Sequence, residues 1–119
     1  MGFFDNLFGK RNEPGTPAPD QAVIVHFQYG STDLSELYLL EEQLEQVIAD
    51  ADVGEFDGNE IATDGSDGSL YMYGPDADLL WAAIRETIQG APFMQGARAI
   101  LRYGPPEPGI KQTEIRVGR

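Results

Sequence analysis

Apolar and polar positions alternate along residues 22–29, which predicts a β-strand with one strongly apolar face. Residues 97–103 alternate in the same way and predict a second such strand. Apolar residues return at helical spacing over about 33–51, and again from Ala77 to Ile88, so two amphipathic helices are expected. Residues 55–73 predict a β-hairpin, with Asp64 to Gly68 as its turn and Gly58 as a bulge or kink.

The order of these elements, β-α-β-β-α-β, is that of a ferredoxin-like fold. We therefore expect an α+β protein in which two helices cover one face of a four-stranded antiparallel sheet. Residues 110–117 predict an optional extra C-terminal strand. A length of 119 residues suits one domain. We expect residues 21–119 to form it, and residues 1–20 to be a flexible N-terminal segment with a Pro-rich linker.

Four blocks of the chain carry a resemblance to known proteins. They are VGEFDGNEI at 53–61, DGSDG at 64–68, YGPDAD at 73–78 and LRYGP at 101–105. These blocks resemble those of a small family of uncharacterised bacterial proteins, and the likeness covers about residues 22–105. The resemblance implies a bacterial, intracellular α+β domain. Because the family has no assigned activity, no site residues carry over from it.

Charge is the strongest compositional feature, with 20 acidic and 8 basic residues and a net charge of -12. Such an acidic chain disfavours nucleic acid as a partner. Residues 20–90 hold 16 acids and one base, whereas residues 91–119 hold five bases and two acids. A basic edge of one molecule could therefore meet an acidic surface of another. We expect a protein partner, either a second copy of this chain or a basic protein.

The first residues contain a short apolar cluster followed by Lys10 and Arg11. At helical spacing the cluster would lie on one side of a helix and could contact an anionic membrane surface or a partner groove. The alternative is a frayed terminus. The first interpretation makes residues 1–11 a weak peripheral membrane contact of a cytoplasmic protein, at the inner membrane surface. The candidate anchor residues are Phe3, Phe4, Leu7 and Phe8.

Motifs for catalysis or metal binding are weak. With no Cys and one His, thiolate and His-rich metal sites are excluded. The hairpin acids do not have EF-hand spacing, and Asp, Asn and Gly are the usual residues of turns. The single imidazole, His26, lies in a strand with no recognisable nucleophile motif. We therefore assign no catalytic residue, no metal and no cofactor. The hairpin residues considered as oxygen ligands are Asp57, Asn59, Glu60, Asp64 and Asp67.

The second face of the predicted sheet is the most informative surface. Its Tyr, His and Arg side chains lie over a few aliphatic ones, a composition typical of an interface. It could serve as a dimer surface, a partner surface or the floor of a ligand site. The alternative is a half-exposed face covered by the last segment. The candidate interaction residues are His26, Gln28, Tyr71, Tyr73, Arg98 and Arg102.

These observations favour a small binding or regulatory module without catalysis of its own. One alternative is an acidic inhibitor of a basic partner, of the immunity-protein kind, which would use the acids of the first helix. The other alternative is a small enzyme that uses the His/Tyr/Arg face, and it requires a concave pocket.

Overall fold

The computed structural model describes residues 20–118, which form two helices and one five-stranded antiparallel sheet. The α+β class is therefore confirmed. The elements are β1 (Gln21–Gln28), α1 (Ser35–Ala51), β2 (Glu55–Ile61), β3 (Asp67–Gly74), α2 (Ala77–Gln89), a 3-10 turn (Pro92–Met94), β4 (Arg98–Arg102) and β5 (Gln112–Arg116). In the sheet the strand order is β2-β3-β1-β4-β5.

The C-terminal segment makes the sheet five-stranded, where the pattern predicts four strands and an optional fifth. Strand β5 pairs antiparallel with β4, from Arg98 opposite Arg116 to Arg102 opposite Gln112. It thus extends the sheet sideways at the β4 edge. The alternative in which the last segment covers the second face is wrong for β5, because its backbone hydrogen bonds place it in the plane of the sheet.

Both helices pack on the same face of the sheet and share one core with it. The α2 stripe is buried as predicted, and its Trp81 is only 7% exposed. The α1 stripe is buried from Leu37 to Ile48, whereas Ala51 at the end of the helix is exposed, against the prediction. Removing these apolar side chains from water is the main favourable term in folding. The sheet contributes Val23, Val25, Phe27, Leu70, Met72, Ala99 and Leu101 to this core.

Helix α1 begins at Ser35, later than the pattern predicts, and has no side-chain N-cap. The Asp33 carboxylate accepts hydrogen bonds from the Ser35 hydroxyl at 2.7 Å and the Ser35 amide at 3.0 Å. These bonds lower the pKa of Asp33. Because the Asp33 side chain is used in this local turn, Leu34 occupies the N-cap position. A capping box between Asp33 and Glu36, which their three-residue spacing would allow, does not form.

The β2–β3 hairpin contains the bulge that Gly58 predicts. Its register shifts between Phe56 and Gly58, and Gly58 has a φ of 131°. Asp57 is left without a partner in the ladder. Since an extra residue reverses the alternation of faces, the side of the sheet reached by each later residue of β2 depends on this bulge.

The turn of the hairpin is docked against the loop between β1 and α1. The Gly65 carbonyl accepts hydrogen bonds from the Gly30 amide at 2.7 Å and the Ser31 amide at 3.2 Å. Gly65 has a φ of 75°, and a Cβ at this position would overlap the Ser31 carbonyl. Only glycine fits this contact without strain. The turn is held against the loop by backbone atoms, through the two hydrogen bonds to the Gly65 carbonyl.

Candidate functional site on the open face of the sheet

The face of the sheet opposite the helices is called the open face below, because both helices of residues 20–118 pack on the other side. Its residues alternate with the core residues along each strand. Strand pairing then fixes which of them are neighbours. They form three rows: Glu60–Ser69–His26–Arg98–Arg116, Gly58–Tyr71–Ile24–Ile100–Glu114 and Glu55–Tyr73–Ala22–Arg102–Gln112.

The candidate interaction residues fall on this face, at different depths. The ones nearest the middle are half-buried, and those at one end are exposed. Gln28 lies beyond the three rows, opposite Asp67 of β3. The strands therefore bring the predicted residues onto one surface, although in separate rows. The half-buried residues are His26, Tyr71, Tyr73 and Arg102, and the exposed ones are Gln28 and Arg98.

His26 has a hydrogen-bond partner that the sequence analysis missed. Its Nδ1 lies 2.7 Å from the Ser69 hydroxyl, which is directly opposite on β3. The sequence indicates that Ser69 shares a face with Tyr71, because the two residues are two positions apart on one strand. It does not indicate that Ser69 pairs with His26, because β1 and β3 are separated in the chain by α1 and β2 and their register is not encoded locally. Among the described residues, no carboxylate hydrogen-bonds to the imidazole.

A surface depression of about 740 Å³ lies at this end of the open face. Its floor includes His26 and Ser69, and charged residues from both edges of the sheet surround them. It is large enough for a small ligand or for side chains of a partner protein. Its walls are polar and charged, unlike those of a typical apolar ligand pocket. The charged and amide side chains around it are Gln28, Glu60, Asp67, Gln95, Arg98 and Arg116.

Tyr71 is held over the face by Glu60. The phenol donates a hydrogen bond to Glu60 Oε1 at 2.6 Å, and this bond is the largest cause of a raised Tyr71 pKa, followed by burial. The bulge in β2 brings Glu60 to this face. The next residue towards the bulge, Asn59, lies on the helix side, where its amide donates to Glu41 of α1 at 2.6 Å. Strand β2 therefore contributes side-chain hydrogen bonds on both faces of the sheet.

Charge is unevenly distributed across the open face. The β2 edge carries Glu55 and Glu60 and no base, whereas the β4–β5 edge carries three arginines and one acid, Glu114. Arg98 approaches Glu114 at 3.8 Å, but both side chains are about half exposed, at 49% and 56%. Such a pair contributes little to stability, so both groups are free to bind other charges. The arginines of this edge are Arg98, Arg102 and Arg116.

Arg102 is positioned more firmly than the other arginines. Its Nε donates a hydrogen bond to the Gly104 carbonyl at 2.7 Å, and its side chain is half-buried. It lies in the same row as Tyr73, with the small residue Ala22 between them. The Tyr73 ring offers a flat surface on which another group can stack, and the Arg102 guanidinium offers hydrogen-bond donors in a fixed direction.

One acid of the hairpin turn, Asp64, has a local structural role. Asp64 Oδ1 accepts a hydrogen bond from the Ser66 amide at 2.9 Å, and hydrogen bonding to Ser66 lowers the Asp64 pKa. This is the geometry of a turn stabilised by an Asp side chain. Within residues 20–118, no group of three His, Cys, Asp or Glu residues is placed to hold a metal ion.

The candidate anchor, Phe3, Phe4, Leu7 and Phe8, lies outside the described residues, and its interpretation stays a prediction. In the part of the chain that the structure covers, neither helix has the length and apolar character needed to cross a bilayer. Comparison of the chain with protein-family models, with curated proteins and with solved structures finds no match.

Proposed function

We propose that this protein is a binding module without catalysis of its own, and that the open face of its sheet binds another protein. The observation that carries the proposal is the row through the middle of this face. Ile24, Ile100 and Tyr71 lie there side by side and half-buried, with charged groups around them. An apolar and aromatic centre within a polar rim is the usual composition of a protein–protein interface.

The fold supports this proposal, and we assign it to the ferredoxin-like class. The element order is β-α-β-β-α-β, and the first four strands are adjacent in the order β2-β3-β1-β4. Since both helices are used to cover one face, the other face is left as a broad surface on rigid strands. Binding residues placed on strands keep their geometry better than those placed on loops.

The rest of the described surface is a weaker candidate. Helix α1 exposes Tyr38 and Leu39, at 52% and 58%, next to several glutamates. This is the surface that the acidic-inhibitor alternative would use. Here the exposed apolar residues stand among like charges, and no basic side chain of α1 accompanies them. The open face combines both signs of charge with an apolar centre, which suits a wider range of partners.

Site-specific photo-crosslinking in the native cell tests the proposal. A photoreactive phenylalanine analogue replaces Tyr71 on the open face in one strain and Tyr38 on α1 in another. Both sites are tyrosines, so the two substitutions are matched in size. We expect a discrete crosslinked protein from position 71 and none from position 38.

The opposite result, with a crosslink to a basic protein from position 38 alone, would replace this proposal by the acidic-inhibitor alternative. Absence of any crosslink from position 71 in a protein that melts like the parent would overturn it. The melting comparison is needed because Tyr71 also contacts Glu60.

The His26–Ser69 pair favours a second candidate, a hydrolase with Ser69 as nucleophile. An imidazole nitrogen 2.7 Å from a serine hydroxyl has the spacing needed for proton transfer. A fluorophosphonate probe tests this directly, because it forms a bond to an activated serine oxygen and loses fluoride. We expect no labelling. Labelling that Ser69→Ala abolishes and Ser66→Ala retains would establish the hydrolase and contradict a module without catalysis.

A further inference from the structure

The open face is complementary to itself, and we propose that its partner is a second copy of this chain. The proposal rests on the proposed function, since it names the protein that the open face binds. The two copies would meet face to face, related by a two-fold axis parallel to the strands. This is the symmetric arrangement of a homodimer, in which the same patch of each copy is used.

The direction of the axis follows from the charge distribution. A two-fold axis along β1 places the β2 edge of one copy over the β5 edge of the other. Glu60 then faces Arg116 of the second copy and Glu55 faces Gln112, so no like charges meet at the edges. An axis across the strands, along the middle row, would place each edge over its own copy, so that Glu60 would face Glu55 of the second copy. Like charges in contact are strongly unfavourable, so only the first direction is compatible with these side chains.

The remaining rows agree with the same axis. Strand order places Tyr71 over Ile100 of the second copy, and Tyr73 over Arg102. The first pair buries an aromatic ring against an aliphatic side chain, and the second is a cation–π pair. The open-face residues of β1 lie on the axis, so Ile24 would meet Ile24 and His26 would meet His26, whereas Ala22 is already fully buried within each copy. In packed pairs of sheets the strand directions of the two sheets usually differ by about −30°. Such a rotation shifts the paired side chains relative to one another but does not exchange the two edges.

The size of the face sets the expected strength. Strands about 4.8 Å apart, with about five residues each along the face, give a footprint of roughly 400 Å² per copy. Stable interfaces bury about 800 Å² per partner. We therefore expect a weak dimer that forms at high concentration. Each copy also carries a net charge of -12, so the measurement needs about 0.15 M salt, where repulsion beyond about 8 Å is screened.

Charge reversal tests both the partner and the axis. Sedimentation equilibrium of the full chain, from about 1 μM to about 1 mM, gives the dissociation constant of the parent. Glu60→Arg places two arginines against each other at each end of the dimer, and Arg116→Glu places two glutamates there. We expect each variant alone to dimerise at least about tenfold more weakly than the parent.

The decisive measurement is a mixture of the two variants. In a mixed dimer, the arginine introduced at position 60 of one variant faces the glutamate introduced at position 116 of the other, and the remaining Arg116 faces the remaining Glu60. Opposite charges therefore meet at both edges, so an equimolar mixture of Glu60→Arg and Arg116→Glu should associate as well as the parent. The controls are Glu42→Arg and Arg85→Glu, which make the same charge changes at exposed sites on the helices. These controls should leave association unchanged, alone or mixed.

The outcomes separate this inference from the proposed function. A parent that stays monomeric to about 1 mM, while position 71 crosslinks to a different protein, overturns self-association and leaves the binding module standing. A crosslink from position 71 to residues 1–13 of the same chain also overturns it. Association that neither reversal weakens, or that the mixture does not restore, would place any dimer on another surface. If position 71 crosslinks to nothing, both proposals fail.

Discussion

The two faces of the sheet are built from the same strands, yet they have opposite properties. Along β1, Val23 and Val25 are fully buried at 0% exposure, while Ile24 and His26 between and beside them are only half-buried. The apolar residues of one face meet the stripes of two helices. On the other face Ile24 lies beside Tyr71 and Ile100, and no helix of the described residues covers them. Burial of an aliphatic residue therefore depends on what covers its face, and its own hydropathy does not decide it.

The difference also separates stability from binding. On the helix side no polar or charged residue of the described chain is fully buried, so apolar contacts dominate there. On the open face the contacts within the protein are individual hydrogen bonds, such as His26 to Ser69 and Tyr71 to Glu60. Substitutions on the first face should change the free energy of unfolding. Substitutions on the second should change association and leave folding nearly intact.

The largest effect is expected for Trp81→Ala in α2. The indole is 7% exposed and belongs to the shared core, so its removal leaves a large cavity and should cost about 3–5 kcal/mol of unfolding free energy. Leu79→Ala in the same helix is the control, because Leu79 is 58% exposed. Urea denaturation measures both variants. Equal midpoints for Trp81→Ala and the parent would mean that this side chain does not support the core.

A smaller effect is expected for a neighbouring pair on β1. Val25→Ala removes two buried methyl groups and should cost about 2 kcal/mol. Ile24→Ala removes more carbon atoms, yet it should cost less than about 1 kcal/mol, because its side chain is only half-buried before truncation. Thermal or urea unfolding gives the two values. If Ile24→Ala costs more than Val25→Ala, some other part of the chain covers the open face.

Tyr71→Phe should have a modest effect. Loss of the hydrogen bond to Glu60 should cost about 0.5–1 kcal/mol near neutral pH. The Tyr71 pKa is raised in the folded protein, so the stabilisation is fully present below the unfolded pKa and is lost as the pH rises through the folded pKa. Ultraviolet titration of the variant should therefore lose part of its phenolate signal at the alkaline end, where Tyr103, whose pKa is also raised, still titrates. An unchanged alkaline titration would contradict the bond from Tyr71 to Glu60.

The smallest effect is expected for Glu41→Gln, where the hairpin meets α1. Burial raises the Glu41 pKa, although the hydrogen bond from Asn59 opposes the shift. A raised carboxyl pKa gives stability that is present below the unfolded pKa and lost as the pH rises through the folded pKa. The charged form is thus slightly unfavourable at pH 7. Glu41→Gln should stabilise by less than about 1 kcal/mol at about pH 7 and by nothing at about pH 3.

Glu42→Gln is the control for this prediction, because Glu42 is exposed on the same helix. Urea unfolding at the two pH values measures both variants. A destabilisation by Glu41→Gln at neutral pH would show that the bond from Asn59 outweighs the cost of burial.

Some features of the site were predictable, and others were not. The alternation of β1 places His26 and Ile24 on one face, and the positions of Tyr71 and Tyr73 follow in the same way. Ser69 and Glu60 were missed for different reasons. Ser69 became significant only through its pairing with His26. Glu60 reaches the open face because of the bulge in β2. Gly58 indicated that a bulge was present, but it did not indicate how the bulge would change the register.

The likeness to a small bacterial family stays a prediction, since no comparison tests it. The expected cytoplasmic location and the membrane contact of residues 1–11 also stay predictions. They depend on residues 1–11, which the structure does not describe, or on the resemblance alone, and the contacts of residues 20–118 do not bear on them.

The sequence by itself determined which residues share a face within each strand or helix, because that depends only on the local period of the backbone. It also determined that acids are concentrated before residue 90 and bases after it. Only the tertiary structure decided that these charges lie at opposite edges of one face. That arrangement requires β2 and β5 to be the two outer strands, which is fixed by pairing between distant segments. Such pairing results from burial of the whole core against two helices, and no local pattern encodes it.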